Sequence, residues 1–284
     1  MMIFAKRNLL LYFRDKSALF FSLLAVIILV VLYGTFLGNL IADGLPDFPA
    51  KKWLLLSWIF AGILAVTSVT TTLGAFGVMV EDRATDAYLD FYASPIKRSS
   101  LFGGYVMSSI VIGFFMSLLV LFIANIVFFL NGEEMLTIFQ FVQVIGVISL
   151  SVITSSSMIL LLVSFFRTVT AFAAASTVIG TLLGFLAGIY IPIGHLPAYL
   201  QTIITLFPTS HSAALFRQIL MEQPIAEAFA GASVSAKQEF LLDMGVFYEI
   251  NGFLTSSLFS ILYLTATAII FSILAAVAMK QKKS

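Results

Sequence analysis

Six long, nearly uninterrupted apolar runs divide the chain, at residues 18–37, 53–80, 101–130, 138–165, 169–193 and 255–279. A helix needs about 20 apolar residues to cross the hydrocarbon core of a bilayer, so each run predicts a transmembrane helix. The second, third and fourth exceed that length and have room to tilt or to project beyond the membrane. Only Arg167 and its neighbours separate the fourth run from the fifth. An arginine at the bilayer centre is costly, which predicts two helices meeting in a tight turn rather than one long helix. The first run follows Lys6, Arg7, Arg14 and Lys16, as a signal peptide would. It exceeds a typical signal core and lacks a clear small-residue cleavage site, so it reads as a retained anchor.

Three pieces fall outside these runs. Residues 1–17 interleave Leu9, Leu10, Leu11, Tyr12 and Phe13 with Lys6, Arg7, Arg14 and Lys16. That mixture suits a helix lying in the membrane interface, since a mere basic flank, the alternative, needs no such run of large apolar residues. The loop 81–100 reads EDRATDAYLDFYASPIKRSS, with charged and apolar residues in helical order. The segment 192–254 begins with apolar stretches broken by Pro192, Pro197 and Pro208. Half-length apolar helices with proline breaks predict a re-entrant or interfacial hairpin rather than a seventh span. Farther on, Ser235 with Gln238 fits a capping box opening a short helix over 239–248, stopped by Asn251 and Gly252.

Composition agrees with lipid as the solvent: 61% hydrophobic, 10% charged, mean hydropathy +1.08, against roughly 45–50% and about 25% in soluble domains. With the N-terminus inside, eleven of the fifteen basic residues fall on inner segments, leaving Lys51, Lys52, Arg217 and Lys237 outside. Both termini are therefore expected in the cytoplasm. None of the six runs contains Asp, Glu, Lys, Arg or His. A titratable relay for proton-coupled transport is thus missing, although broken helices can bind Na⁺ through carbonyls and hydroxyls. Cysteine is absent, no HExxH or GxSxG motif occurs, and no glycine precedes a lysine, which excludes a phosphate-binding P-loop. His195 and His211 lie sixteen residues apart without a partner at ligand spacing, so structural roles are expected. No metal or cofactor is expected in this chain. A net charge of +1 suggests no nucleic-acid partner.

Hydroxyls and small residues mark the runs. Thr67, Ser68, Thr70, Thr71 and Thr72 cluster in the second, and Ser151 and Thr154 to Ser157 in the fourth. Ser176, Gly180, Gly184 and Gly188 step by four along the fifth, one face of a helix. Such residues serve close helix packing, a dimer interface or the lining of a pathway.

In the loop, Glu81, Arg83, Leu89, Ser94, Pro95, Ile96 and Arg98 form the pattern E-x-R-x5-L-x4-S-P-I-x-R directly after a span. It resembles the ABC-2 family of ATP-binding-cassette transporter permeases, in which an acidic, arginine-containing helix follows the second span. The N-terminal RNLLLYFRDKSALFF and the outer GIYIPIGHLPAYLQTIITLFPTSHSAALFRQIL are similar to the family's amphipathic leading helix and outer hairpin. Ala84, Thr85 and Asp86 depart from the Arg-Gly-Thr of many members, and 223–251 exceeds its compact forms.

The resemblance implies a single ABC-2 transmembrane domain over 1–284: all-α, polytopic, with six transmembrane helices, an N-terminal interfacial helix and an outer re-entrant hairpin before the last span. It implies an exporter permease in a bacterial plasma membrane, paired with a second identical or homologous permease chain. ATP and Mg would sit on two cytoplasmic ATPase subunits, and loop 81–100 would be the coupling helix. Glu81, Arg83, Asp86, Leu89, Asp90, Ser94, Pro95 and Arg98 are its candidate residues, with Glu81 expected to brace against Arg83 and Arg98. Thr67, Thr70, Thr71, Ser176, Gly180, Gly184 and Gly188 are candidates for a pathway or a dimer interface. The cargo would be an amphipathic drug, peptide, lipid or glycan. A non-transporting membrane scaffold or immunity protein is the alternative, in which the loop is only a solvated linker.

Overall fold

The structure, a computed structural model, describes residues 1–33, 48–93, 98–250 and 252–281. It is all-α apart from one short antiparallel pair, β1 (Glu249–Ile250) with β2 (Phe253–Leu254). The helices are α1 (Met2–Arg14), α2 (Lys16–Leu32), α3 (Lys51–Ala84), α4 (Ala87–Ala93), α5 (Arg98–Leu130) and α6 (Ile138–Ser164). They continue as α7 (Val169–Leu186), α8 (Ala198–Leu206), α9 (Pro208–Leu220), α10 (Glu222–Ala228), α11 (Val234–Asp243) and α12 (Ser257–Gln281).

Five of these are long and apolar enough to cross a membrane: α3, α5, α6, α7 and α12. The first apolar run appears as the 17-residue α2, and its remainder falls in 34–47, outside the described residues. Arg167 does divide two helices, α6 ending at Ser164 and α7 starting at Val169. The start of α6 is fixed locally: Gln140 N–H donates to Thr137 Oγ1 at 3.2 Å, and Thr137 N–H donates to Gln140 Oε1 at 3.1 Å. This reciprocal cap satisfies two donors that a helix start leaves orphaned.

At the centre stands α3, with 89% of its apolar window buried, against 22% for α12 and 11% for α7. The difference makes α3 the mast, while α7 and α12 leave apolar faces for lipid or another chain. The hydroxyl cluster of α3 is satisfied within that helix. Thr67 donates to Ile63 O at 2.7 Å, Thr71 to Thr67 O at 2.6 Å, and Thr70, half-buried, to Val66 O at 3.1 Å. Back-bonding of this kind removes the cost of burying a hydroxyl. Other hydroxyls tie helices together: Ser156 donates to Ser109 at 3.2 Å, and Thr154 donates to Leu264 O at 3.1 Å, linking α6 to α5 and α12.

Two sequence expectations shift. The fifth helix stops at Leu186 rather than 193, because Gly188 takes φ +62°. Gly188 N–H then donates to Phe185 O and Ile189 N–H to Gly184 O, both at 2.9 Å, the paired bonds of a glycine-terminated helix. Gly188 is therefore a stop signal beyond the helix, off the face carrying Ser176, Gly180 and Gly184. The outer helix starts two residues before the expected Ser235: the cap is Ser233, whose Oγ accepts from Ala236 N–H at 3.2 Å. It ends at Asp243, not Tyr248, since the chain turns into the β1–β2 pair.

Helices α8 and α9 are joined at Phe207, with Pro208 opening α9 where its missing N–H costs nothing. Neither is long enough to span. Arg217 on α9, 2% exposed, fixes them to the bundle. Its guanidinium donates to Ala187 O (2.9 Å), Gly188 O (2.8 Å) and Gly245 O (3.3 Å) and lies over the Trp58 ring. Carbonyls and an aromatic face thus surround a buried cation. His211 is equally internal, between Ser260 Oγ at 3.1 Å and Thr205 O at 2.9 Å. Among the described residues, no three His, Cys, Asp or Glu gather into a metal-holding group.

Candidate functional site

The end of the bundle opposite this hairpin collects the C-terminal ends of α3, α6 and α12 and the N-terminal ends of α5 and α7. No proline or glycine interrupts α3 after Gly77, so it runs unbroken to Ala84. It stops at Thr85, whose Oγ1 donates back to Glu81 O at 2.9 Å. Asp86 then takes φ +57°, a left-handed conformation that Asp tolerates better than most residues. The turn redirects the chain into α4, seven residues long.

Asp82 lies on the inward face of the last turn of α3, 5% exposed. A lone carboxylate there would pay a large desolvation cost. Arg7 of α1 meets it with both guanidinium arms, Nη1 to Oδ2 and Nη2 to Oδ1, each 2.7 Å. Tyr105 of α5 donates its hydroxyl to Oδ2 at 2.5 Å. Bidentate charge-assisted bonds are the strong kind and fix geometry as well as charge. The hydrogen bond from Arg7 to Asp82 raises the guanidinium pKa further, so Arg7 stays charged.

Aromatic rings close the cluster. Phe4 stands edge-on to Phe91 of α4 (5.1 Å) and to Tyr105 (4.9 Å). Arg7 lies 5.0 Å from the Phe91 ring and 5.4 Å from Phe4. One ion pair therefore binds α1, α3, α4 and α5 into a unit. A second tie reaches α6: Arg83 Nη1 donates to Val163 O at 3.0 Å, a carbonyl in the last turn of α6 that also accepts from Phe166 N–H at 3.2 Å.

The predicted residues distribute unevenly around this cluster. Glu81 and Asp86 are exposed, and Leu89 is 51% exposed on the outward side of α4. Asp90 lies on α4 and Arg98 opens α5, whereas Ser94 and Pro95 lie outside the described residues. The ion pair at the end of α3 is Asp82 with Arg7, while the expected brace of Glu81 against Arg83 and Arg98 involves the Arg98 side chain, which lies outside the described residues. The loop pattern steps over Asp82 as a spacer, and Arg7 reads in sequence as one of the headgroup-facing cations of an interfacial helix. Their signal was present only as opposite charges 75 positions apart. Below α4, a cavity of about 750 Å³ opens between these helix ends, with Met79, Leu101, Ser164 and Tyr88 on its walls.

The sequence profile of the ABC-2 type transporter family matches residues 1–221. The chain belongs to that family. No curated protein matches it. The ABC-2 assignment makes the chain a multi-pass, membrane-embedded transport subunit that is not itself catalytic. The matched stretch contains every partner of the Asp82 cluster and ends one residue after α9.

The ABC-2 permease carries its remaining candidates on α7. Gly184 is filled against Tyr190, whose ring occupies the place where a Cβ would project. Gly180 faces open space, with nothing within 4 Å of an added Cβ. Ser176 is half-buried on the same side.

Proposed function

We propose that this permease is the membrane half of an ATP-driven exporter and that loop 81–100 receives the work of separate ATPase subunits. The observation that carries this reading is the Asp82 cluster. It welds the short α4 to the end of a 34-residue helix that is about 50 Å long at ~1.5 Å per residue. A displacement of α4 is then carried along α3 rather than absorbed at the turn. Asp86 and Leu89 are exposed and able to meet a partner. Two cytoplasmic ATPase subunits would hold ATP and Mg, and a second identical or homologous permease chain would complete the pathway. Apolar, charge-free spans suit an amphipathic drug, peptide, lipid or glycan as cargo. Both termini would be cytoplasmic in a bacterial plasma membrane, with the apolar run 18–37 as the sixth span.

The test is ATPase activity and substrate efflux of the reconstituted complex. Asp86→Lys with Asp90→Lys should weaken docking or uncouple ATP turnover from efflux while the chain still inserts. Wild-type values for both would remove the loop from the coupling role. Transport by the purified chain without an ATPase subunit would overturn the whole reading.

A further inference from the structure

The cavity beneath α4 has walls of two kinds. Phe91, Phe102 and Met279 give it an apolar side, and Arg83, Arg167 and Asp86 give it charge. Two guanidinium groups against one carboxylate leave the wall net cationic. Its volume of about 750 Å³ lies within the range of roughly 300–1,000 Å³ typical of small-molecule sites. These six residues come from six places in the chain, namely α4, α5, α12, the end of α3, the α3–α4 turn and the link between α6 and α7. Apart from α4 and the turn before it, these are the ends of the long apolar helices or the link between two of them, the level at which headgroups would meet acyl chains. Basic pockets between helices at that level select phosphate-bearing lipids.

We infer that this cavity holds the headgroup of an anionic glycerophospholipid, with the phosphodiester toward Arg83 and Arg167 and the glycerol and upper acyl carbons against Phe102 and Met279. A lipid matches the walls better than a soluble anion. Free phosphate leaves the apolar side wet, whereas a glycerophospholipid covers both kinds of surface. Arg167 sits in the link between two membrane helices, and Arg83 also holds Val163 O at the end of α6. The bound phosphate would thus join α3 to the α6–α7 turn, beside the Asp82 cluster. The inference rests on the exporter reading only in drawing this lipid from the inner leaflet.

The experiment uses the purified chain alone, so its outcome is separable from ATPase coupling. The delipidated protein in detergent is titrated with phosphatidylglycerol, with diacylglycerol and with glycerol 3-phosphate, and bound mass is read by native mass spectrometry. One phosphatidylglycerol should bind per chain, with neither of the other two able to displace it. Arg83→Gln and Arg167→Gln should each weaken binding by about fivefold, the weight of one basic side chain near an anionic headgroup. Met279→Trp fills the apolar side, keeps both arginines and should exclude the lipid, which guards against a folding defect in the arginine variants. Lys237→Gln, on α11 at the opposite end, should leave binding unchanged. Unchanged binding in the arginine double variant, equal uptake of diacylglycerol, or displacement by glycerol 3-phosphate would each overturn the site.

Discussion

Asp82 is held by three hydrogen bonds from two side chains, Arg7 and Tyr105, on two other helices, and neither is near it in sequence. A reader of the sequence sees an acid inside an acidic-basic stretch and has no means of knowing which acid turns inward. Helical periodicity selects a face but does not say which neighbour supplies the cation. The pairing makes a defined prediction. Arg7→Ala and Asp82→Ala should each lower stability by about 2–3 kcal/mol, the usual weight of hydrogen bonds to a charged group. Asp82→Ala also leaves a cation among aromatic rings. Thermal unfolding of the two single variants and the double variant checks this: coupled residues give a double-variant loss well below the sum. His211 supplies a pH test. Burial lowers its pKa, with the bond to Thr205 O opposing more weakly, so the folded protein keeps the ring neutral where the unfolded chain would protonate it. Stability should be constant above the ordinary imidazole value of about 6.5 and fall as pH drops below it. His211→Asn should flatten that slope in a pH series of unfolding temperatures.

Among the elements, those defined by continuous greasy sequence were legible and those ended by backbone geometry were not. The separation of α6 from α7 followed from one arginine. The end of α7 did not follow from hydropathy, because residues 187–193 are as apolar as the helix before them and only the left-handed Gly188 stops it. Ser233 and Ser235 offered the same cap chemistry, so composition alone could not choose between them. The glycines of α7 can be separated by experiment. Gly184→Leu drives side-chain atoms into the Tyr190 ring and should cost about 1–3 kcal/mol in thermal stability, as overpacking usually does. Gly180→Leu meets only open space and should leave the isolated chain as stable as wild type. If the exposed face of α7 seats a second permease, Gly180→Leu should instead reduce the dimer fraction in size-exclusion profiles. A wild-type dimer fraction would assign that face to lipid.

For the whole molecule, the basic-residue asymmetry predicts which end faces which side. A cysteine placed at Ser99 or Ser284 should be shielded from an impermeant thiol reagent in intact cells, while one at Ala232 should react. Labelling at Ser284 from outside would require an odd number of spans. The all-α membrane architecture was written in the apolar runs. The cohesion of the hairpin end was not, since it depends on bonds to carbonyls, which any residue can offer. Arg217 imposes an order of assembly on that end. It lies within the stretch shared with the family, yet one of its acceptors is Gly245, and Trp58 Nε1 likewise donates to Met244 O at 2.8 Å. During synthesis, α9 emerges from the ribosome ahead of residue 245, with its guanidinium short of an acceptor. The hairpin end therefore reaches its final form late in translation, and a nascent chain stalled just after α9 would carry an unfinished, chaperone-accessible face.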